Sequence, residues 1–239
     1  MPVIGKSDVS RYDFTTQRLF VRDQLATGAE LELEREQANY LLNVLRLKDG
    51  AELLVFNGRD GEWRARLQQQ GRKSAQLTIG ELQREQTQAG NIDYLFAPIK
   101  HARLDYMVQK AVEMGAASLR PVITHRTQAQ RVNTERMEAN AIEAAEQCGI
   151  LSIPGVHEPV QLEKALRDLD PAQALIFCDE DAPAGDAVAQ LRAALEPRAK
   201  VALLIGPEGG FDQQERDMLK RHPHCITITL GPRILRADT

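Results

Sequence analysis

From Ile92 onward the sequence alternates short apolar stretches with amphipathic stretches of helical period, and this alternation restricts the possible folds more than any other feature. Strands and helices that alternate along a chain build a largely parallel sheet with helices on both faces. We predict strands at Tyr94–Pro98, Leu119–Ile123, Ala174–Cys178, Val201–Ile205 and Ile226–Leu230. We predict helices at His101–Met114, Thr134–Gln147, Leu162–Leu169, Gly185–Leu195 and Gln213–Arg221. The fold class of this part of the chain is therefore α/β.

The first of these helices has the clearest period. Apolar residues recur there at steps of three and four, at Leu104, Met107, Val108, Ala111 and Met114. Such residues form one apolar face, and Gly115 stands where a glycine commonly ends a helix.

The residues before Ile92 follow a different pattern, typical of a small β-rich domain. Turn dipeptides at Asp49-Gly50 and Asn57-Gly58 enclose a short apolar stretch. We predict strands at Arg18–Val21, Ala51–Phe56 and Trp63–Leu67, a strand through Ala75, Leu77 and Ile79, and a helix at Glu36–Leu45 with Tyr40, Leu41, Val44 and Leu45 on one face. The polar stretch Glu81–Asn91 is typical of a linker, so we place one domain at residues 1–85 and a second at 91–239.

Composition bears on the compartment and the partners. The net charge is −4 and aromatic residues make up 5%, so an RNA partner would have to be held by local basic patches rather than by bulk charge. Three cysteines without CxxC spacing and five scattered histidines predict neither disulfides nor a metal site. Because no signal segment and no run of about eighteen apolar residues occurs, we predict a cytoplasmic protein without a membrane partner.

Glycines cluster directly after one predicted strand, in Ile205–Asp212 (IGPEGGFD). Ligands in open α/β sheets bind at the carboxyl ends of strands, and glycines there let the backbone approach a ligand closely. Asp212 and Glu215 have the spacing of a capping box, which marks a helix start. The loop can be a tight turn without a ligand or a phosphate cradle. Glu208 disfavours phosphate, because a carboxylate repels an anion but tolerates a cation or a ribose hydroxyl.

A second loop of this kind follows the last predicted strand, in Leu230–Thr239 (LGPRILRADT). Arg233 and Arg236 enclose the apolar pair Ile234 and Leu235. The apolar pair can form one wall of a ligand site, and the alternative is a solvated basic loop.

The two loops together resemble the signature of the ribosomal RNA small subunit methyltransferase E family, in the SPOUT superfamily of S-adenosylmethionine-dependent RNA methyltransferases. Supporting similarities follow in the same order from Arg18 to the last residue, at Arg18–Val21, Leu41–Gly50, Gln109–Gly115, Pro121, Arg126-Thr127 and Glu143–Gln147. The sequence departs from the family's pattern at Ile150, usually arginine, and at Asp238, usually glutamate. It also stops at Thr239, where relatives continue into a helix that helps to close the knot and the dimer interface. We expect this last difference to bear on cofactor affinity and dimer stability.

The resemblance implies a small PUA-like β-barrel domain that binds RNA, followed by a SPOUT α/β methyltransferase domain with a C-terminal trefoil knot, in a homodimer. It implies methylation of N3 of a uridine in small-subunit ribosomal RNA, free or within the subunit, with S-adenosylmethionine as the cofactor. The cofactor would lie between the two loops, in contact with Leu204, Gly206, Glu208, Gly209, Gly210, Leu230, Gly231, Ile234 and Leu235.

Methylation at N3 requires removal of the N3 proton and stabilisation of the charge that develops on the uracil oxygens. The resemblance makes Arg236 the first candidate for the stabilising group and Arg233 the second. Glu146 is the candidate base, with Glu208 or a water as alternatives. The sulfonium supplies the leaving group, so no metal is needed, and a paired uridine would have to be flipped out.

Local basic residues would hold the RNA, and their phosphate contacts would make binding salt-dependent. The candidates are Arg18, Arg22, Arg46, Lys48, Arg64 and Arg66 in the first domain and Arg103 and Arg126 in the second.

Three other functions stay open at the level of the sequence. The protein could methylate a ribose 2′-hydroxyl or a tRNA base, or it could be an RNA-binding ribosome-assembly factor without catalytic activity. The glycine-rich loop could also serve an enzyme that acts on nucleotide phosphates. A methyltransferase should bind S-adenosylmethionine, whereas an assembly factor without catalytic activity should not. An enzyme that acts on nucleotide phosphates should bind a nucleoside triphosphate instead.

Overall fold

The computed structural model describes residues 13, 15–129, 131–182, 187–195, 200–231 and 233. The chain divides into two compact units, the first comprising Met1–Gln88 with Ala145–Ser152 and the second Ala89–Ala144 with Ile153–Thr239. The segment Ala145–Ser152 therefore packs with the first unit, although it lies in the middle of the sequence predicted for the second domain.

The first unit is built on a five-stranded mixed sheet. Its strands are β1 (Arg18–Phe20), β2 (Glu30–Glu32), β3 (Glu52–Phe56), β4 (Glu62–Gly71) and β5 (Ser74–Arg84), in the order β1-β3-β4-β5-β2. β1 and β3 are parallel and the other pairs are antiparallel. Alternate residues of β4 and β5, such as Ala65, Leu67, Leu77 and Ile79, are almost fully buried in one core. The predicted two-residue periods are thereby confirmed.

The stretch predicted as a linker begins later than expected, because β5 continues to Arg84. Glu62 of β4 is 1% exposed and accepts hydrogen bonds from Arg18 Nε (2.8 Å) and Arg84 Nε (2.7 Å). A buried carboxylate needs such partners, so the arginine at the end of β5 is held in the sheet.

The helix predicted at Glu36–Leu45 is wrong in its second half. An α-helix, α1, spans Arg35–Asn39 and passes into a π-helical turn at Tyr40–Val44. The Leu45 N–H donates to the Tyr40 carbonyl at 2.9 Å, five residues back. The wider turn rotates the side chains away from a 3.6-residue period. Leu41 is consequently buried, whereas Tyr40 and Val44 are 38% and 61% exposed.

The second unit contains a parallel sheet with helices on both faces, as predicted. Its strands are β6 (Ile92–Phe96), β7 (Ala116–Ile123), β8 (Gly155–Val156), β9 (Val160–Gln161), β10 (Ala174–Cys178), β11 (Val201–Ile205) and β12 (Cys225–Ile228). The order is β12-β10-β11-β6-β7-β8, β9 pairs with β7, and every pairing is parallel. The predicted bounds of β10 and β11 are confirmed, whereas the two-residue strands β8 and β9 were not predicted.

The helices that follow β6 along the chain are α2 (His101–Glu113), α3 (Thr134–Cys148), α4 (Leu162–Arg167), α5 (Ala187–Leu195) and α6 (Gln213–Arg221). The last turn of α3, from Ala145, belongs to the first unit. α4 and α6 contribute Leu162 and Leu219 to the core on one face of the sheet, and α5 packs Leu191 on the other. The predicted apolar face of α2 is correct except at Met114, which is 83% exposed because the helix ends at Glu113. Among the described residues, no helix has the length and apolar character needed to span a bilayer.

Candidate functional site

Three loops leave the carboxyl edge of the second unit's sheet side by side. β10 lies between β11 and β12, with Phe177 paired to Leu204 and Cys178 paired to Ile228. Neighbouring strands are about 4.8 Å apart, so the loops after β11 and β12 begin about 10 Å from each other with the β10 loop between them. This edge is where ligands bind in open α/β sheets. The two glycine-containing loops singled out in the sequence therefore begin close enough to contact one ligand.

The loop after β11, Gly206–Asp212, is built tightly around Phe211. The Phe211 ring is 4% exposed and packs edge-on against Phe177, with centroids 5.1 Å apart. A Cβ on Gly206 would lie 2.3 Å from the Phe211 ring. Gly210 has φ +66° and its N–H donates to the Pro207 carbonyl (2.9 Å), which closes a turn. The two glycines are thus required by the fold of the loop itself.

The start of α6 fixes the other end of this loop. Asp212 accepts a hydrogen bond from Glu215 N (2.8 Å), and Glu215 accepts one from Asp212 N (3.0 Å), which confirms the predicted capping box. Glu215 also accepts from the His125 N–H at 2.8 Å. One carboxylate therefore ties the helix start to the loop that follows β7.

Two arginines predicted to bind RNA contact the same loop. Arg103 of α2 pairs with Glu208 (2.7 Å), and both side chains are about half exposed. Arg126 donates to the Gly209 carbonyl (2.7 Å). Their guanidinium groups bind the glycine-rich loop and stabilise it, while the exposed parts of both side chains stay accessible to solvent.

An acidic loop that was missed at the sequence level lies between the two predicted loops. Asp179, Glu180 and Asp181 follow β10 directly, and Arg216 of α6 pairs with all three carboxylates. Arg216 is buried and also donates to the Phe211 carbonyl (3.1 Å). One guanidinium thus joins the β10 loop to the glycine-rich loop. The available signal was positional, since these acids follow a predicted strand just as the two glycine loops do.

The charges of this cluster do not cancel. Three carboxylates face Arg216 and the Lys220 ammonium, which leaves one net negative charge. Asp179 Oδ2 is buried, accepts no hydrogen bond from the described residues and lies 3.4 Å from Lys220 Nζ. Burial raises the pKa of the neighbouring Cys178 thiol to about 11, so that group adds no charge. The β10 loop therefore favours a cationic or hydroxyl-bearing ligand over an anion.

The acidic cluster is not arranged as a metal site. In the part of the chain that the structure describes, no three or more His, Cys, Asp or Glu side chains form a group suited to a metal ion. The Glu180 carboxylate instead lies against the glycine-rich loop, where a Cβ on Gly210 would be 2.6 Å from its Oε1.

The remaining residues of the predicted cofactor set lie in different surroundings. Leu204 is fully buried in β11, so its contribution to a ligand site is limited to its backbone. Leu230 is 56% exposed, and Gly231 has φ +107°. Arg233 is exposed, while Ile234, Leu235 and Arg236 lie outside the described residues.

The candidate base and the candidate RNA contacts of the first unit are placed as follows. Glu146 accepts a hydrogen bond from the Phe20 N–H at 2.7 Å, which holds β1. Arg18 is 6% exposed and bound to Glu62, so we leave it out of the RNA-contacting set. Arg46 and Lys48 are exposed, and Arg46 has the left-handed φ of +57°.

The other three arginines of that set lie on the surface of the first unit. Arg64 and Arg66 share Glu52 across the β3–β4 pair at 3.1 and 3.4 Å. Hydrogen bonds from these arginines hold the pKa of the Glu52 carboxyl below its usual value. The Arg22 guanidinium lies 6.0 Å from the centre of the Phe20 ring.

Comparison with known proteins supplies the family. The family model described as an RNA methyltransferase domain matches residues 85–239, and the one described as an RNA methyltransferase PUA domain matches residues 33–80. Ribosomal RNA small subunit methyltransferase E of Synechocystis is 30% identical over 243 residues, covering 100% of this chain and 78% of the relative. The protein of the same name from Rickettsia conorii is 27% identical over 223 residues, covering 93% and 90%.

The chain belongs to the ribosomal RNA small subunit methyltransferase E family. The resemblance noted in its sequence is thereby confirmed, and the fold is that of an α/β RNA methyltransferase with a PUA domain.

A solved member of the methyltransferase E family has the same fold. The Neisseria gonorrhoeae protein, bound to S-adenosyl methionine, superimposes with a TM-score of 0.79 at 25% identity and covers 93% of this chain and 92% of its own. A Legionella pneumophila protein, solved in complex with S-adenosylmethionine as bound cofactor, gives a TM-score of 0.76 at 29% identity and covers 93% of this chain and 92% of its own.

Proposed function

We propose that this protein transfers a methyl group from S-adenosylmethionine to N3 of a uridine in small-subunit ribosomal RNA. The observation that carries the proposal is the carboxyl edge of the second sheet, where two glycine-containing loops flank an acidic loop in a chain of the methyltransferase E family. The two structural neighbours described above were solved with the same cofactor bound.

The residues at this edge fit the cofactor part by part. S-adenosylmethionine carries two positive groups, a sulfonium and an ammonium, and the β10 loop has one net negative charge. The exposed Leu230 side chain offers apolar surface for an adenine face, and the backbone of Gly206–Gly210 offers hydrogen-bonding groups. We expect Ile234 and Leu235 to extend the apolar surface.

When bound, S-adenosylmethionine supplies a methyl group on a positively charged sulfur, which is a good leaving group. The protein has to accept the N3 proton and stabilise negative charge on the uracil oxygens. We assign the second task to Arg236, with Arg233 as the alternative. For the first task Glu146 and Glu208 are both candidates, and each has a partner, the Phe20 N–H for Glu146 and Arg103 for Glu208.

The finer architecture is part of the same proposal. The second unit would carry a C-terminal trefoil knot, and the five-stranded sheet of the first unit would belong to a PUA-like barrel. Two chains would form a homodimer, and the ribosomal substrate would place the protein in the cytoplasm. RNA would contact Arg22, Arg46, Lys48, Arg64 and Arg66 of the first unit and Arg103 and Arg126 of the second.

Calorimetry with S-adenosylmethionine tests the cofactor, and mass mapping of methylated small-subunit RNA tests the position of the methyl group. We expect calorimetry to detect heat of binding for S-adenosylmethionine, and mass mapping to find a single methylated uridine. Methyl groups found on a ribose 2′-hydroxyl or on tRNA would overturn the N3 assignment. Absence of binding heat would favour an assembly factor without catalytic activity.

The role of Arg236 is tested by Arg236→Ala. Cofactor binding should survive, whereas methylation should fall by about 10²–10³-fold, the loss typical of a missing charge-stabilising donor. Arg233→Ala is the matched variant, and a greater loss there would exchange the two roles. Normal methylation by both variants would remove the arginines from the reaction.

A further inference from the structure

A cavity of about 540 Å³ opens beside the carboxyl ends of β6 and β7, away from the acidic loop. The cavity is enclosed by residues that follow β6 and β7 and by the first turns of α2 and α3. Its floor is apolar, and the most buried side chains there are Ile99, Leu104, Val108 and Met137. The volume lies within the roughly 300–1,000 Å³ usual for small-ligand sites.

The rim of the cavity carries positive charge that no described acidic side chain pairs with. Arg136 is paired with Asp105 through Nε (3.0 Å) and Nη2 (2.6 Å). Lys100 and Arg131 also line the cavity, and neither side chain has a hydrogen-bond or ion-pair partner among the described residues. The rim therefore has two positive charges available for an anionic group.

We propose that this cavity binds a nucleotide of the RNA substrate, with the base on the apolar floor and the phosphates at Lys100 and Arg131. An apolar body with a negatively charged edge is what a nucleotide presents. The charge at the rim excludes a purely apolar ligand, and the floor distinguishes the cavity from a flat basic surface. Contacts of ammonium and guanidinium groups with phosphate also fix the position of RNA along a protein.

The bound nucleotide is a neighbour of the methylated uridine rather than the uridine itself. β6 and β10 are separated by β11, so the strand end beside the cavity lies about 10 Å from the start of the β10 loop, which we expect to face the sulfonium. Methyl transfer requires the reacting atoms to approach within about 3–3.5 Å. Because the cavity opens beside β6 and the β10 loop does not line it, we assign the cavity to a neighbour of the methylated uridine, where it would hold the RNA in position while the acceptor enters the site.

The inference rests on the proposed RNA substrate, but it does not depend on which atom is methylated. The charged rim is tested with the double variant Lys100→Ala/Arg131→Ala and a fluorescein-labelled oligouridine. The affinity should fall about ten- to a hundredfold, and the slope of log K against log salt should fall by about 1.4, since each lost single-strand phosphate contact removes about 0.7. Arg167→Ala/Arg192→Ala removes the same charge elsewhere in the second unit and should leave both quantities nearly unchanged.

The apolar floor is tested separately by filling the cavity with Ala129→Phe, which keeps every charge. This variant should bind oligouridine more weakly than wild type yet bind an abasic oligomer of the same length equally well. Calorimetry should give the wild-type affinity for S-adenosylmethionine in all these variants. With small-subunit RNA as substrate, KM should rise while kcat changes little.

Several outcomes would overturn the proposal. One is an equal loss of affinity in the Arg167→Ala/Arg192→Ala control. Another is equal affinity of the wild-type protein for the abasic oligomer and for oligouridine, because RNA would then be held by phosphate contacts on an open surface. A change of sedimentation coefficient in Lys100→Ala/Arg131→Ala would make the rim an interface between copies of the chain. A wild-type protein that neither binds S-adenosylmethionine nor methylates RNA would refute the proposed function instead, whatever the oligouridine results.

Discussion

At the scale of single residues, the glycine-rich loop owes its shape to contacts that leave no room for side chains. Gly206 lies against the buried Phe211 ring, where a Cβ would be 2.3 Å from a ring atom. Gly209 of the same loop differs, because the atom closest to its Cβ position is a flexible Arg126 side-chain carbon at 3.5 Å.

Because a Cβ has no room at Gly206 but has room at Gly209, alanine should have different effects at the two positions. Gly206→Ala should lower the free energy of unfolding by about 1–3 kcal/mol, the usual cost of overpacking, and should weaken S-adenosylmethionine binding. Gly209→Ala should change the stability by less than about 0.5 kcal/mol, as ordinary surface substitutions do. Urea unfolding followed by circular dichroism measures both. Equal stability of the two variants would show that the loop adapts around Phe211.

The second prediction concerns Arg216, which holds three carboxylates and the Phe211 carbonyl. Arg216→Met should cost about 3–5 kcal/mol, because the buried Asp179 carboxylate would keep Lys220 as its one ion-pair partner among the described residues. Asp179→Asn combined with Arg216→Met should cost clearly less than the sum of the single variants. Additive costs in urea unfolding would mean that the two residues do not stabilise each other. Calorimetry of Asp179→Asn would then show whether the β10 loop serves the cofactor.

At the scale of secondary-structure elements, α6 determines how the glycine-rich loop ends. Its capping box and the bond from His125 N to Glu215 use one carboxylate for two backbone donors. Glu215 is 8% exposed, so its carboxylate is largely shielded from water where it accepts both bonds.

The third prediction follows from that arrangement. Asp212→Ala should cost about 1 kcal/mol, the usual value of a lost cap. Glu215→Ala should cost more, because it leaves the N–H groups of Asp212 and His125 without an acceptor. Glu215→Gln keeps an acceptor and should lose less than half as much. Thermal unfolding ranks the three variants, and faster hydrogen exchange at the His125 amide in Glu215→Ala alone would identify the contact.

Elements with strong periodicity were predictable from the sequence, and elements shaped by tertiary contacts were not. β10, β11 and α6 have their predicted bounds because apolar runs and a capping box mark them locally. The π-helical turn at Tyr40–Val44 was not predicted, since a one-residue widening leaves no mark in a 3.6-residue pattern. The end of β5 depends on Glu62 from another strand. The Asp179 loop was missed because a run of acids on its own indicates solvent exposure, and only Arg216 makes it part of the site.

At the scale of the whole molecule, the net charge of −4 is a sum over local sites of opposite sign. The loop proposed to face the cofactor has a net negative charge, while Lys100 and Arg131 in the second unit and Arg46 and Lys48 in the first are exposed cations. RNA binding should therefore depend strongly on salt, whereas cofactor binding should depend on it weakly.

Variants at Arg46 and Lys48 should change the salt dependence of RNA binding without changing cofactor binding. Arg46 keeps a left-handed backbone that costs a non-glycine residue about 1–2 kcal/mol, and strain of this kind is common at functional positions. Arg46→Ala/Lys48→Ala should weaken binding of small-subunit RNA and lower its salt slope by about two phosphate contacts, while the affinity for S-adenosylmethionine stays at its wild-type value. Arg46→Gly removes the charge and relieves the strain, so it should bind RNA more weakly and yet unfold at higher urea than wild type. If Arg46→Gly binds RNA as wild type does, the left-handed turn is a feature of folding alone, and the basic contacts of the first unit must be sought on the β4 face around Arg64 and Arg66.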